Sequence, residues 1–158
     1  MEQLGTRNVG DQETKRLPGD VQPEIRPVPF ICPTQRSRGI SFAQRCAELR
    51  RYFQGWVGYF RLVPIKSFFD ELDKWVRRRI RMCIWESWKN GRTRAAALMK
   101  LGVPEHEAFT HGMSSKGPWA LSSSQAVHQA LPVALLEERG LPSLLAIWKK
   151  LTAKNRTA

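Results

Sequence analysis

Acidic residues are scarce in this chain. Only 14 Asp and Glu stand against 26 Lys and Arg in 158 residues, leaving a formal net charge of +12. So basic a balance points to a polyanionic partner. Cysteine is also scarce: Cys32, Cys46 and Cys83 make an odd count with no Cys-x-x-Cys pair, which argues against a disulfide framework and a zinc ribbon. His106, His111 and His128 form no zinc-ligand spacing. Long apolar runs are missing, both as a signal-peptide core and as a membrane span, so the expected compartment is the cytoplasm, with no membrane partner. There is no Gly-rich phosphate loop or nucleophile elbow. Alternating strand patterns are absent too, which leaves an all-α chain.

What is present is unevenly distributed. Residues 36–100 hold 16 Lys and Arg against 5 Asp and Glu, a net +11. The flanking segments are close to neutral. Pro18, Pro23, Pro27, Pro29 and Pro33 recur through the first 37 residues and forbid a useful helix there, so 1–37 is expected to be a disordered or extended leader. From Ser41, a plausible N-cap, Phe42, Cys46 (or Arg45), Leu49, Phe53, Trp56 (or Val57) and Phe60 recur at helical steps until Pro64. Gly55 and Gly58 suggest a notch for close approach by a neighbour. A second helix is expected from Ile65 to Lys89, a third over Thr93–Leu101 and a fourth from Pro104 to Gly112. After a Ser/Gly/Pro connector over 114–125 that carries Trp119, shorter helices are expected at Ser124–Leu131, Val133–Arg139 and Ser143–Leu151.

The second helix carries two stripes. Ile65, Phe69, Leu72, Val76, Ile80 and Cys83 form an apolar face. Lys74, Arg78, Arg81 and Trp85 form another; its cations Lys74, Arg78 and Arg81 are expected to face outward toward phosphate, with Arg77 and Arg79 beside them, and the setting of Trp85 is left open. Asp70, Glu71 and Asp73 could suggest a metal site. Their place at the start of a helix rich in arginine fits the helix dipole and pairs such as Asp70 with Lys74 and Asp73 with Arg77 better. No catalytic residue, metal ligand or cofactor is expected. Most aromatics read as core. The candidate nucleic-acid-binding residues are Arg50, Arg51, Arg61, Lys66, Lys74, Arg77, Arg78, Arg81, Trp85, Lys89, Arg92 and Arg94. Their cations would neutralise phosphates, and an exposed aromatic would stack on a base.

The runs RGISFAQRCAELRRYFQGWVGYFRL, KSFFDELDKWVRRRIRMCIWESWK and TRAAALMKLGVPEHEAF resemble, in this order, the maturase-specific region of group II intron-encoded proteins. That region is the thumb, or domain X, of a reverse transcriptase. The later run SSKGPWALSSSQAVHQALPVALLEERGLPSLLAIW is similar to the segment after the thumb in bacterial members, a region associated with DNA-target contacts. It departs from the pattern at Pro118 and at the helix-breaking Leu131-Pro132 pair. The resemblance implies a thumb-like helical bundle over 38–112 and short C-terminal helices over 113–158. It also implies binding of structured group II intron RNA in aid of folding and splicing. Neither the Asp-Asp polymerase motif nor a His-Asn-His endonuclease is found, so no enzymatic activity is expected. DNA and a separate reverse transcriptase polypeptide are further partners that the resemblance admits. A DNA-binding helical module and a truncated relic of a reverse transcriptase are the alternative readings.

Overall fold

The computed structural model describes residues 34–60 and 66–156, without the side chains of Arg36 and 154–156. The leader expectation falls almost wholly outside this range. Among the described residues the regular structure is entirely helical.

A 3-10 turn at Arg36–Arg38 ends on Gly39, whose left-handed φ of 62° suits a residue without Cβ. Ser41 then caps α1 (Phe42–Phe60), its Oγ accepting from the Gln44 amide at 3.1 Å. α2 (Lys66–Ser87) is the longest element, about 33 Å at the usual helical rise. α3 (Gly91–Lys100) and α4 (Glu105–Gly112) form a tight hairpin. Gly112 makes its close approach possible, because a Cβ there would sit 2.9 Å from both the Ala95 amide and the Gly91 carbonyl. The chain continues through α5 (Pro118–Leu121), α6 (Gln125–Ala130), α7 (Val133–Glu138) and α8 (Leu144–Arg156). The expected connector over 114–125 therefore contains one helical turn, started by Pro118 at a position where its missing N–H costs nothing. The Leu131-Pro132 break falls between α6 and α7, as expected.

One core runs through the whole array. Leu49, Phe53 and Val57 of α1 meet Phe69, Val76 and Ile80 of α2, together with Leu98, Val127, Leu131, Leu136 and Leu144. α8 lies against both α1 and α2, α5 lies on α2, and α6 touches α3 and α4. Trp148 of α8 stacks on Phe69 of α2 with 5.4 Å between ring centroids. Residues on both sides of position 112 thus contribute to the same apolar interior.

Three expectations need correction. The second stripe of α2 does not face solvent in its C-terminal half: Arg81 is 5% exposed and Trp85 is fully buried. The cause is the C-terminal region, which covers that side and turns α2 into a central helix packed on two faces. Asp73 is not a surface partner of Arg77 but is buried against the start of α8. Gly55 and Gly58 form no notch for a neighbour among the described residues, since a Cβ at either would meet none of their atoms within 4 Å. No helix among the described residues is long and apolar enough to cross a membrane.

Candidate nucleic-acid interface

The twelve candidate residues fall into distinct physical groups. Arg61 lies outside the described residues. Arg81 and Trp85 are interior. The Arg81 Nε donates to the Leu131 carbonyl at 3.0 Å. Burial, with the nearby charge of Arg77, lowers its pKa. Trp85 packs edge-on to Trp88 at 5.9 Å and lies 5.3 Å from the guanidinium of Arg94. Arg94 is therefore engaged over an aromatic ring inside the fold.

Arg78 and Arg50 resemble Arg81 in one respect. Each reaches from a long helix to a backbone carbonyl in the C-terminal region. Arg78 Nη2 donates to Trp119 O at 3.2 Å and Arg50 Nη2 to Gly140 O at 3.3 Å. Arg45, not among the candidates, does the same for Gln35 O at 2.8 Å. The carbonyls of Leu131 and Gly140 lie just beyond α6 and α7. There the last turn leaves acceptors without intrahelical partners and the helix dipole is negative. Guanidinium groups meet that need well, having several donors on a long stem. Part of the central positive charge thus holds the fold together.

Lys74 is exposed but answered by acids, with Asp70 at 3.0 Å and Glu71 at 2.8 Å. The Asp70 pairing is the one expected from the sequence, and its carboxyl is held below the usual range by that contact. Such exposed pairs contribute little to stability.

Arg51, Lys66, Arg77, Lys89 and Arg92 remain. They are exposed or half-buried, and no acid pairs with them among the described residues. Lys66, Lys74 and Arg77 share one side of α2 by helical period. Lys89 and Arg92 sit close in sequence at the corner between α2 and α3. Lys89 also borders a cavity of about 580 Å³ lined by Ser37, Gly39, Arg45 and Glu86, among others. The remaining cations therefore lie in three places: Arg51 on α1, Lys66 and Arg77 along α2, and Lys89 with Arg92 at its far end.

Two participants escaped the sequence reading as functional groups. Trp119 was placed only in a connector, yet it is 40% exposed with the Arg78 guanidinium 4.0 Å from its ring centroid. Arg79, placed beside the basic stripe, is held by Thr34 Oγ1 at 3.3 Å and lies 5.2 Å from the Trp75 ring. A tryptophan in a Ser/Gly/Pro stretch of a basic chain was the available signal for the first. No local pattern marked the second.

Cys46 and Cys83 are both buried free thiols. Burial pushes the Cys46 thiol up to about 11 against the opposing charges of Arg50 and Arg45. The Cys83 thiol, also raised by burial, contacts the Thr34 carbonyl at 3.2 Å. These are small packing groups without nucleophilic character. His128 is pushed downward by burial and by Arg81 and Arg78, which favours its neutral form.

No curated protein matches the chain. Residues 33–102 match the family model described as "Group II intron, maturase-specific domain". The matched segment takes in the 3-10 turn, α1, α2 and α3, and ends at Gly102, whose left-handed φ of 88° closes α3. Over residues 33–102, then, this chain is similar to a group II intron maturase-specific domain.

Proposed function

We propose that this chain binds structured group II intron RNA and favours its splicing-competent fold without chemistry of its own. The observation that carries the reading is the set of cations Arg51, Lys66, Arg77, Lys89 and Arg92, which no acid pairs among the described residues, on a segment that matches the maturase-specific family model. Each can neutralise a phosphate and release a counterion. Arg50, Arg78 and Arg94 are half-buried or exposed and add to the local potential while serving the fold. Arg61 belongs to the proposal by sequence position alone. A protein that prefers one RNA conformation shifts the population toward it by its difference in affinity. Contacts to backbone and shape dominate over base reading in folded RNA.

The test is the affinity for a group II intron RNA measured against salt. A triple variant, Arg51→Glu, Lys89→Glu and Arg92→Glu, should keep its helix content and bind more weakly. Its plot of log affinity against log salt should be shallower by about 2 to 3. Splicing of the RNA at low magnesium should speed up with the wild-type chain and not with the variant. A salt-independent affinity, or an unchanged slope in the triple variant, would sink the reading.

A further inference from the structure

We infer that Trp119 and the cleft beside it hold an unpaired nucleotide of the bound RNA, the base stacked on the indole. The inference rests on the RNA-binding reading above and adds to it a site of defined chemistry. Trp119 is a large aromatic side chain left 40% exposed. Its backbone is pinned, because its carbonyl accepts from both Arg78 Nη2 at 3.2 Å and Ser122 Oγ at 2.7 Å. Leu121 and Ser122, close behind it in the chain, are buried. The ring is thus presented from a fixed turn, and little order remains to be imposed on binding.

The Arg78 guanidinium lies 4.0 Å from the ring centroid. Trp119 also borders a cavity of about 340 Å³, lined among the described residues by Gln35, Ser37, Arg79 and Met82. The lining suits a nucleotide in each part. Met82 is a buried, polarisable floor. Gln35 and Ser37 are exposed and can offer hydrogen bonds to a base edge. Arg79 is held in place by Thr34 and brings positive charge for the phosphodiester. None of these lining residues is acidic. Stacking on an aromatic face tolerates any base, so the site selects an unpaired nucleotide over a paired one.

The test uses the full chain and two RNA hairpins, one with a single bulged uridine and one with an abasic bulge at that position. Wild type should prefer the uridine bulge by about 5- to 150-fold. Trp119→Leu should bring the uridine bulge down to the abasic level, whereas Trp119→Phe should keep most of the preference. With 5-iodouridine in the bulge, ultraviolet irradiation and mass spectrometry should place the adduct on the peptide containing Trp119. Equal affinity for the two hairpins, or an adduct elsewhere, overturns this inference alone. Absence of binding to either hairpin overturns the RNA reading and this inference with it. Trp119→Phe and the cross-link decide the matter even where Trp119→Leu disturbs the fold.

Discussion

Replacing Asp73 by alanine should destabilise the protein by about 2 to 4 kcal/mol. Asp73 lies in the middle of α2, 4% exposed, and its carboxylate faces the first turn of α8. It accepts from Leu144 N at 2.8 Å, Leu145 N at 3.2 Å and Ser143 Oγ at 2.6 Å. Ser143 Oγ in turn accepts from Ala146 N at 3.2 Å. The first amides of α8, which have no helical acceptor, are thereby satisfied by one residue of the same helix junction and one from a distant helix. Alanine at 73 leaves the buried Leu144 amide without an acceptor, a penalty of about 1 to 3 kcal/mol. Loss of the cap adds about 1 kcal/mol. Ser143 and Leu145 are half-buried and recover part of their loss to water. Asp73→Asn keeps one acceptor oxygen and should cost about half as much. Urea unfolding followed by far-ultraviolet circular dichroism measures the effect. Hydrogen exchange should show the Leu144 and Leu145 amides losing protection first. A cost for Asp73→Ala below about 0.5 kcal/mol, in the range of an ordinary surface change, would refute the reasoning.

Arg81→Glu should unfold the protein rather than merely abolish RNA binding, because it places a carboxylate against the Leu131 carbonyl in the interior. Arg81→Met, which leaves only that acceptor unmet, should cost about 1 to 3 kcal/mol, read from the urea midpoint. If Arg81→Glu keeps the wild-type midpoint, the side chain is not a structural strut. The Cys46 thiol, raised by burial to about 11, sets a pH window. An unfolded chain ionises this thiol at lower pH than the folded one does. Stability should therefore fall as the pH rises toward about 11 and be unaffected by this group at neutral pH. The alkaline decline should be smaller in Cys46→Ala, and identical pH profiles for the two proteins would contradict it.

Much of the fold could be read from periodicity. The cap at Ser41, the break at Leu131-Pro132 and the apolar stripes of α1 and α2 are local signals with local causes. The partition of the basic residues was less accessible. Lys74, Arg78, Arg81 and Trp85 do share a stripe, but a stripe carries no record of what covers it. The cover comes from segments about 40 to 50 positions later, through Trp119 and Leu131. Asp73 shows the same limit. Its neighbours in sequence suggest a surface pair with Arg77, whereas its partners are Ser143, Leu144 and Leu145. Long-range hydrogen bonds of this kind leave no period. Lys66, Lys74 and Lys89 are exposed, whereas Arg81 is interior. A lysine offers one compact charge that favours water, while a guanidinium can serve several carbonyls inside a fold.

The guanidinium-to-carbonyl links also separate a unit of homology from a unit of folding. The matched family segment stops at 102, yet Arg78, Arg81 and Asp73 within it find their partners between 119 and 145. α5, α6 and α7, at four to six residues each, are too short to persist alone, and carbonyls in or just beyond them accept from Arg78, Arg81 and Arg50. A fragment cut at the family boundary would keep the matched segment and leave the Asp73 carboxylate and the guanidinium groups of Arg78 and Arg81 without their partners. The two halves complete each other, so the smallest piece of this chain that keeps its shape extends through α8.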